Sequence, residues 1–205
     1  GGSVYSGGLI EDSPPPVGGG FSPDRTMTGV HLIYQGTMRG DLVARSLTFS
    51  QGVRLAKGAV SDFESVAVNA SEMDMLATDQ MTLDCEQLRI GIDPATNNGS
   101  LASRSRGSMA AWELEAAGGV VFRTRTPKSL HEATADRCGY TSSKDLFVVQ
   151  GAASRPAHYR QLNPYGQSMM SLDLRHATFR LRSMELVSSQ IEGFRVSAPS
   201  ELRPQ

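Results

Sequence analysis

Ala110-Ala111-Trp112-Glu113-Leu114-Glu115-Ala116-Ala117 is the segment of the chain with the best claim to be a helix, and its reading decides the fold. The residue types favour a helix. The pattern does not: Glu113 and Glu115 alternate strictly with Trp112, Leu114 and Ala116. A helix would scatter that alternation around its circumference, whereas a strand sends successive side chains to opposite faces, one dry and one wet. The segment is therefore predicted to be a strand.

The same period of two runs outward in both directions. Upstream it appears at Val43, Leu47 and Phe49 and at Met81, Leu83 and Cys85. Downstream it appears at Leu172 and Leu174, then at Phe179 and Leu181, with Asp173, Arg175, Arg180 and Arg182 interleaved. Gln51-Gly52, Asp93-Pro94, Asn97-Asn98-Gly99, Gly118-Gly119 and Ser142-Ser143 punctuate these runs as turn signals. No segment carries apolar residues at helical spacing for three turns. The expected fold is all-β.

The 205 residues suffice for one sizeable core, and a 39% hydrophobic, 20% charged composition describes a folded chain. A net charge of −1 gives no electrostatic reason to expect nucleic acid as a partner. No run approaches the roughly 20 apolar residues of a membrane-spanning helix. Residues 1–25 hold Pro14-Pro15-Pro16 and Gly18-Gly19-Gly20 and read as a flexible linker, 26–196 as one β domain, and 197–205 as a tail. A chain opening on Gly1 is expected to be a piece of something longer.

A weak repeat runs through the domain. Ala44-Arg45-Ser46-Leu47-Thr48-Phe49 resembles Thr78-Asp79-Gln80-Met81-Thr82-Leu83, Ala135-Asp136-Arg137-Cys138-Gly139-Tyr140 and Leu174-Arg175-His176-Ala177-Thr178-Phe179. Each copy is followed by a second apolar strand, which predicts a succession of antiparallel hairpins. The starts at 44, 78, 135 and 174 are too unevenly spaced for a solenoid with fixed rungs.

Within 112–151 the residues Ala117-Gly118-Gly119-Val120-Val121, Ala133-Thr134-Ala135-Asp136-Arg137-Cys138-Gly139-Tyr140 and Ser143-Lys144-Asp145-Leu146-Phe147-Val148-Val149-Gln150-Gly151 follow one another. This succession resembles the organic-solvent-tolerance-like (OstA-like) domain of periplasmic lipopolysaccharide-transport proteins. The resemblance implies an open, folded-sheet β-jellyroll whose apolar interior holds acyl chains. It also implies edge strands that pair with neighbouring domains of the same kind, in the periplasm or cell envelope. Cys138-Gly139 and the polar loop 93–108 depart from the family pattern. The inward, acyl-facing set is expected to be Phe49, Met81, Leu83, Trp112, Leu114, Phe122, Phe147, Leu172, Leu174, Phe179 and Leu181. The same side chains could equally fill a dry core, and the chain would then be a structural or adhesive β-repeat module with no lipid ligand. The edges expected to recruit neighbours are 28–34 and 191–196.

Signatures of catalysis are missing. There is no nucleophile elbow, phosphate-binding loop, dinucleotide fingerprint or His-Glu-x-x-His. His31, His131, His158 and His176 lie far apart in sequence, with His176 expected on a wet strand face. Asp79 and Asp136 occupy a repeat slot that Arg45 and Arg175 fill elsewhere, which reads as solvated charge. No enzyme, cofactor or metal site is expected. Cys85 and Cys138 fall on the apolar parity of their strands, which favours two buried free thiols over a disulfide.

Overall fold

A computed structural model describes residues 1–8, 27–60, 70, 76–92 and 111–196. The strands are β1 (Gly2–Gly8), β2 (Met27–Tyr34), β3 (Met38–Asp41), β4 (Ser46–Val60), β5 (Met81–Ile92) and β6 (Trp112–Arg125). They continue as β7 (Leu130–Thr141), β8 (Leu146–Gln150), β9 (Ala157–Leu162), β10 (Ser168–Arg180) and β11 (Glu185–Val196). The alternating stretch from Trp112 to Ala117 is the start of β6. The chain is all-β, and no helix occurs among the described residues.

All strands join one antiparallel sheet of order β1-β2-β4-β5-β6-β7-β8-β10-β11. β3 hangs on β4, and β9 lies between β7 and β10. The long strands are each interrupted near the middle. Register shifts fall between Ser50 and Val53 in β4, Asp84 and Gln87 in β5, Ala117 and Val120 in β6, and Leu174 and His176 in β10. Residues 151–156 make the same break between β8 and β9, which pair in turn with the two halves of β7 and β10. Gln51, Gly52, Gly118 and Gly119 have φ of 65°, 55°, 79° and 57°, the left-handed geometry that lets a bulged strand turn.

These breaks line up across the sheet and fold it into two leaves. The first leaf holds β3, 46–50, 87–92, 112–117, 137–141, β8, 176–180 and 185–190. The second holds β1, β2, 53–60, 81–85, 120–125, 130–135, β9, 168–174 and 191–196. Ring contacts prove the closure. Phe122 is registered opposite Ala133 and Phe147 opposite Tyr140, seven residues apart on β7, or about 23 Å in a flat sheet. Their ring centroids are 4.2 Å apart. Tyr159, registered opposite Leu172, likewise stacks on Phe179 at 5.0 Å although seven residues of β10 separate the two positions. The architecture is a folded-sheet β-jellyroll with its core between the leaves.

Three sequence expectations are amended. Gly2–Gly8, inside the stretch read as linker, form β1, because the open hydrogen-bonding edge of β2 accepts any extended chain. β2 is consequently paired on both sides, and 28–34 is not the sheet edge. Two of the four expected hairpins are single bent strands: Phe49 and Val53 both lie on β4, and Leu83 and Leu88 both on β5. The glycines and register shifts that the sequence shows as punctuation bend these strands without reversing them. Residues 9–26, the loop 93–110 and the tail 197–205 lie outside the described residues.

Candidate functional site

The interior is closed over most of its length. Of the eleven residues expected to face inward, Phe49, Met81, Leu83, Leu114, Phe122, Phe147, Leu172, Leu174, Phe179 and Leu181 are buried in one continuous core. Trp112 is half-buried against that core, its ring 5.1 Å from Tyr140. Leu174 is 0% exposed and packed on all sides.

At the β11 end the filling stops. Among the described residues β11 pairs only with β10 and forms the end of the sheet. Leu186 lies opposite Phe179, Ile191 opposite Leu174, and Phe194 opposite Leu172, which places all three on the core-facing parity. They are nonetheless open to solvent, Phe194 by 61% and Ile191 by 47%. They line a cleft of about 590 Å³ together with Met170, Leu172 and Phe179. The turn between β6 and β7 and the turn between β10 and β11 form its two lips, bringing Lys128 and Arg182 to the entrance. Leu172 and Phe179 are the members of the expected set that line it.

One wall of the cleft is polar. The Ser129 hydroxyl lies 2.8 Å from His131 Nε2, and His131 Nδ1 lies 2.7 Å from the Tyr159 hydroxyl. Gln161 Nε2 donates to Ser129 Oγ at 3.3 Å, and the Tyr159 ring backs onto Phe179. Burial lowers the His131 pKa to about 4 and raises that of Tyr159. A histidine so depressed is a weak acceptor for a serine proton near neutral pH, and a phenol stands where a carboxylate would steady an imidazolium. What the chain supplies is hydrogen bonding: one polar spot in an otherwise apolar wall.

Cys85 and Cys138 are free and buried, with thiol pKa values pushed up to about 12 by burial. His176 is exposed, and His158 bonds Asp173 on the outer face through Nδ1 at 2.8 Å. Among the described residues no three His, Cys, Asp or Glu side chains gather as a metal site, and no helix is long and apolar enough to cross a membrane.

The expected inward set lacks Met170, Leu186, Ile191 and Phe194, of which Ile191 and Phe194 fall in the stretch 191–196 expected only as a pairing edge, and nothing in the sequence signals the His131 chain. Register shifts in β11, between Leu186 and Ser188 and between Ile191 and Gly193, break the parity that would have tied Leu186 to Ile191 and Phe194. The partner of His131, Tyr159, lies 28 residues away and meets it only through the pairing of β9 with β7.

No protein-family model matches the chain, and no curated protein matches it. Among solved structures it is similar to the crystal structure of LptH from Pseudomonas aeruginosa. That protein is described as the LptA-homologous periplasmic component of the conserved lipopolysaccharide transport device. The TM-score is 0.48 at 11% identity, over 86% of this chain and 90% of that one.

Proposed function

We propose that the chain is a non-enzymatic extracytoplasmic module that takes the acyl part of a glycolipid such as lipopolysaccharide into the cleft beside β11. It would do so as one member of a row of β-jellyroll domains in the cell envelope. The observation that carries this reading is the inward row of β11, apolar side chains on core parity that the described residues leave half-exposed. The cleft of about 590 Å³ lies within the range of small-molecule sites. Each methylene buried contributes about 0.8 kcal/mol, so six would gain roughly 5 kcal/mol before ordering costs. The OstA-like resemblance of 112–151 supports the envelope setting and the glycolipid class.

A second reading has its own support. Leu88, Val120 and Val149 are 0% exposed, and rings from opposite leaves pack at 4.2 and 5.0 Å, as a purely structural module requires. In that reading the cleft is only the seat of the next domain.

Photo-crosslinking with a diazirine-bearing fatty acid separates the two. Leu174 is useless as a probe position, since a charge there unfolds the core in either reading. Phe194→Asp puts the charge at an exposed cleft position instead. If the cleft takes acyl chains, the wild type crosslinks at β10 and β11, and Phe194→Asp stays folded and crosslinks at least fivefold less. A wild type that never crosslinks leaves the structural module.

A further inference from the structure

The polar spot in the cleft wall stands where core strands carry apolar side chains. Ala133 on β7 and Ala157 on β9 are buried in the core. Alternation puts His131 on the same face of β7, and Tyr159 and Gln161 on the same face of β9. His131 is registered opposite Gln161, and Gln161 opposite Met170 of β10. In the neighbouring row Tyr159 is opposite Leu172, and Leu172 opposite Phe194. Each row therefore passes from hydrogen-bonding groups to hydrocarbon across the width of the cleft, and all six side chains line it.

The hydrogen bonds of this spot do not use up its groups. Ser129 Oγ is fully engaged, with His131 Nε2 at 2.8 Å, the Thr126 hydroxyl at 3.2 Å and Gln161 Nε2 at 3.3 Å. Both His131 ring nitrogens are taken. Gln161 is only half matched: its Nε2 donates to Ser129, and no hydrogen bond among the described residues reaches its Oε1. Turning the amide over exchanges its ends and still leaves one of them over. Tyr159 also keeps a spare valence. A neutral imidazole carries one N–H, so the chain runs in one of two directions. When Nε2–H donates to Ser129, the Tyr159 hydroxyl donates to Nδ1 and its oxygen retains a lone pair. When Nδ1–H donates to the Tyr159 oxygen, the Tyr159 proton is left over.

We propose that the cleft prefers an acyl chain bearing a hydroxyl along its length, the hydroxyl meeting the Gln161 amide and Tyr159 while the methylenes lie on Met170, Leu172 and Phe194. This rests on the reading of the cleft as an acyl site and names the chain that site selects. A hydroxyl donates and accepts at once, so it matches either end of the amide and either direction of the histidine chain. An unsubstituted chain covers the same polar atoms with methylenes and strips their water without replacing it, which penalises that chain against the hydroxylated one. A carboxylate in this place would bury a charge against a neutral imidazole.

Competition against the diazirine-bearing fatty acid tests this on the full chain. The competitors are hexadecanoic acid and a set of its monohydroxy isomers that moves the hydroxyl along the chain. At least one isomer should displace the probe at about tenfold lower concentration than hexadecanoic acid, or about 1.4 kcal/mol. The methyl ether of that isomer accepts but cannot donate, and should lose most of the gain. Gln161 is half-buried, so Gln161→Leu should keep the wild-type urea midpoint. It should bind hexadecanoic acid more tightly than the wild type does and the hydroxylated isomer less tightly; Gln161→Met gives the same comparison if leucine unfolds the chain. Displacement by every isomer at the concentration of hexadecanoic acid, or a preference that survives loss of the amide, overturns the proposal, while the crosslink itself leaves the acyl reading of the cleft standing. A wild type that never crosslinks overturns both.

Discussion

His131 is the buried residue whose chemistry reaches furthest. Both ring nitrogens are taken by hydroxyls, and burial holds its pKa at about 4 against an ordinary 6.5. The folded state therefore keeps it neutral where an unfolded chain would protonate it. The unfolded state binds the extra proton between pH 6.5 and pH 4, so stability is full above that window and falls as pH drops through it. The shift corresponds to about 3 kcal/mol. Urea midpoints at pH 7 and pH 4.5 should separate by more in the wild type than in His131→Gln, the difference between the two slopes being the histidine's share. Parallel slopes would show that His131 does not titrate against folding. The two cysteines give a simpler test at this scale. With thiol pKa values pushed up to about 12 and both side chains buried, neither should react with a thiol reagent in the folded protein at pH 7.5. Both should react in urea without reductant, and zero labelled sites there would mean a disulfide.

At the scale of the element, the bend line controls the fold. Gly118 combines a φ of 79° with a site where an added Cβ would lie 2.8 Å from Glu86 Cβ. Gly118→Val meets both penalties, and its expected cost is about 2–3 kcal/mol, read as a fall in the urea midpoint. Gln51 presents the converse case: it holds a φ of 65° with an ordinary side chain. Gln51→Gly relieves that strain and should be neutral or stabilising by up to about 1 kcal/mol. If both variants unfold at the wild-type midpoint, the bends carry no strain. These positions also mark how much of the fold was legible in the sequence. The alternation around Trp112 and Leu114 made the strand reading secure, and the expected inward set lies in or against one core. The reason is physical: parity is a local property, and burial follows it. Whether Gly118-Gly119 and Gln51-Gly52 reverse a strand or bend it is not local. It depends on whether the neighbouring strands break at the same level, and so the hairpins expected at Phe49 and Leu83 became bent strands. The cleft was hidden for a related reason, because its residues differ from core residues only in having no described strand beyond them.

The whole molecule is a folded sheet with two free ends, β1 and β11 among the described residues. The ends are unlike. β1 is short and glycine-rich, whereas β11 runs 12 residues with Leu186, Val187, Ile191, Phe194 and Val196 all exposed. A long, apolar, unpaired edge is a template for another strand. If β11 pairs with β1 of the next copy, the contact is heterologous and does not close, giving a ladder of masses that lengthens with concentration. If β11 pairs with itself, the contact is isologous and stops at a dimer. The inequality of the two ends favours the ladder: β1, with Gly2, Gly7 and Gly8, offers a free backbone edge, while β11 supplies the apolar row. Sedimentation velocity across a concentration series should therefore show species beyond dimer. Amides of β11 should gain hydrogen-exchange protection as those species form, with β4 to β8 unchanged. Val187→Lys with Ile191→Lys places charge on both faces of the edge and should leave a monomer of wild-type thermal midpoint. A wild type that remains monomeric at the highest attainable concentration, or whose self-association survives both lysines, would rule out β11 as the joining edge.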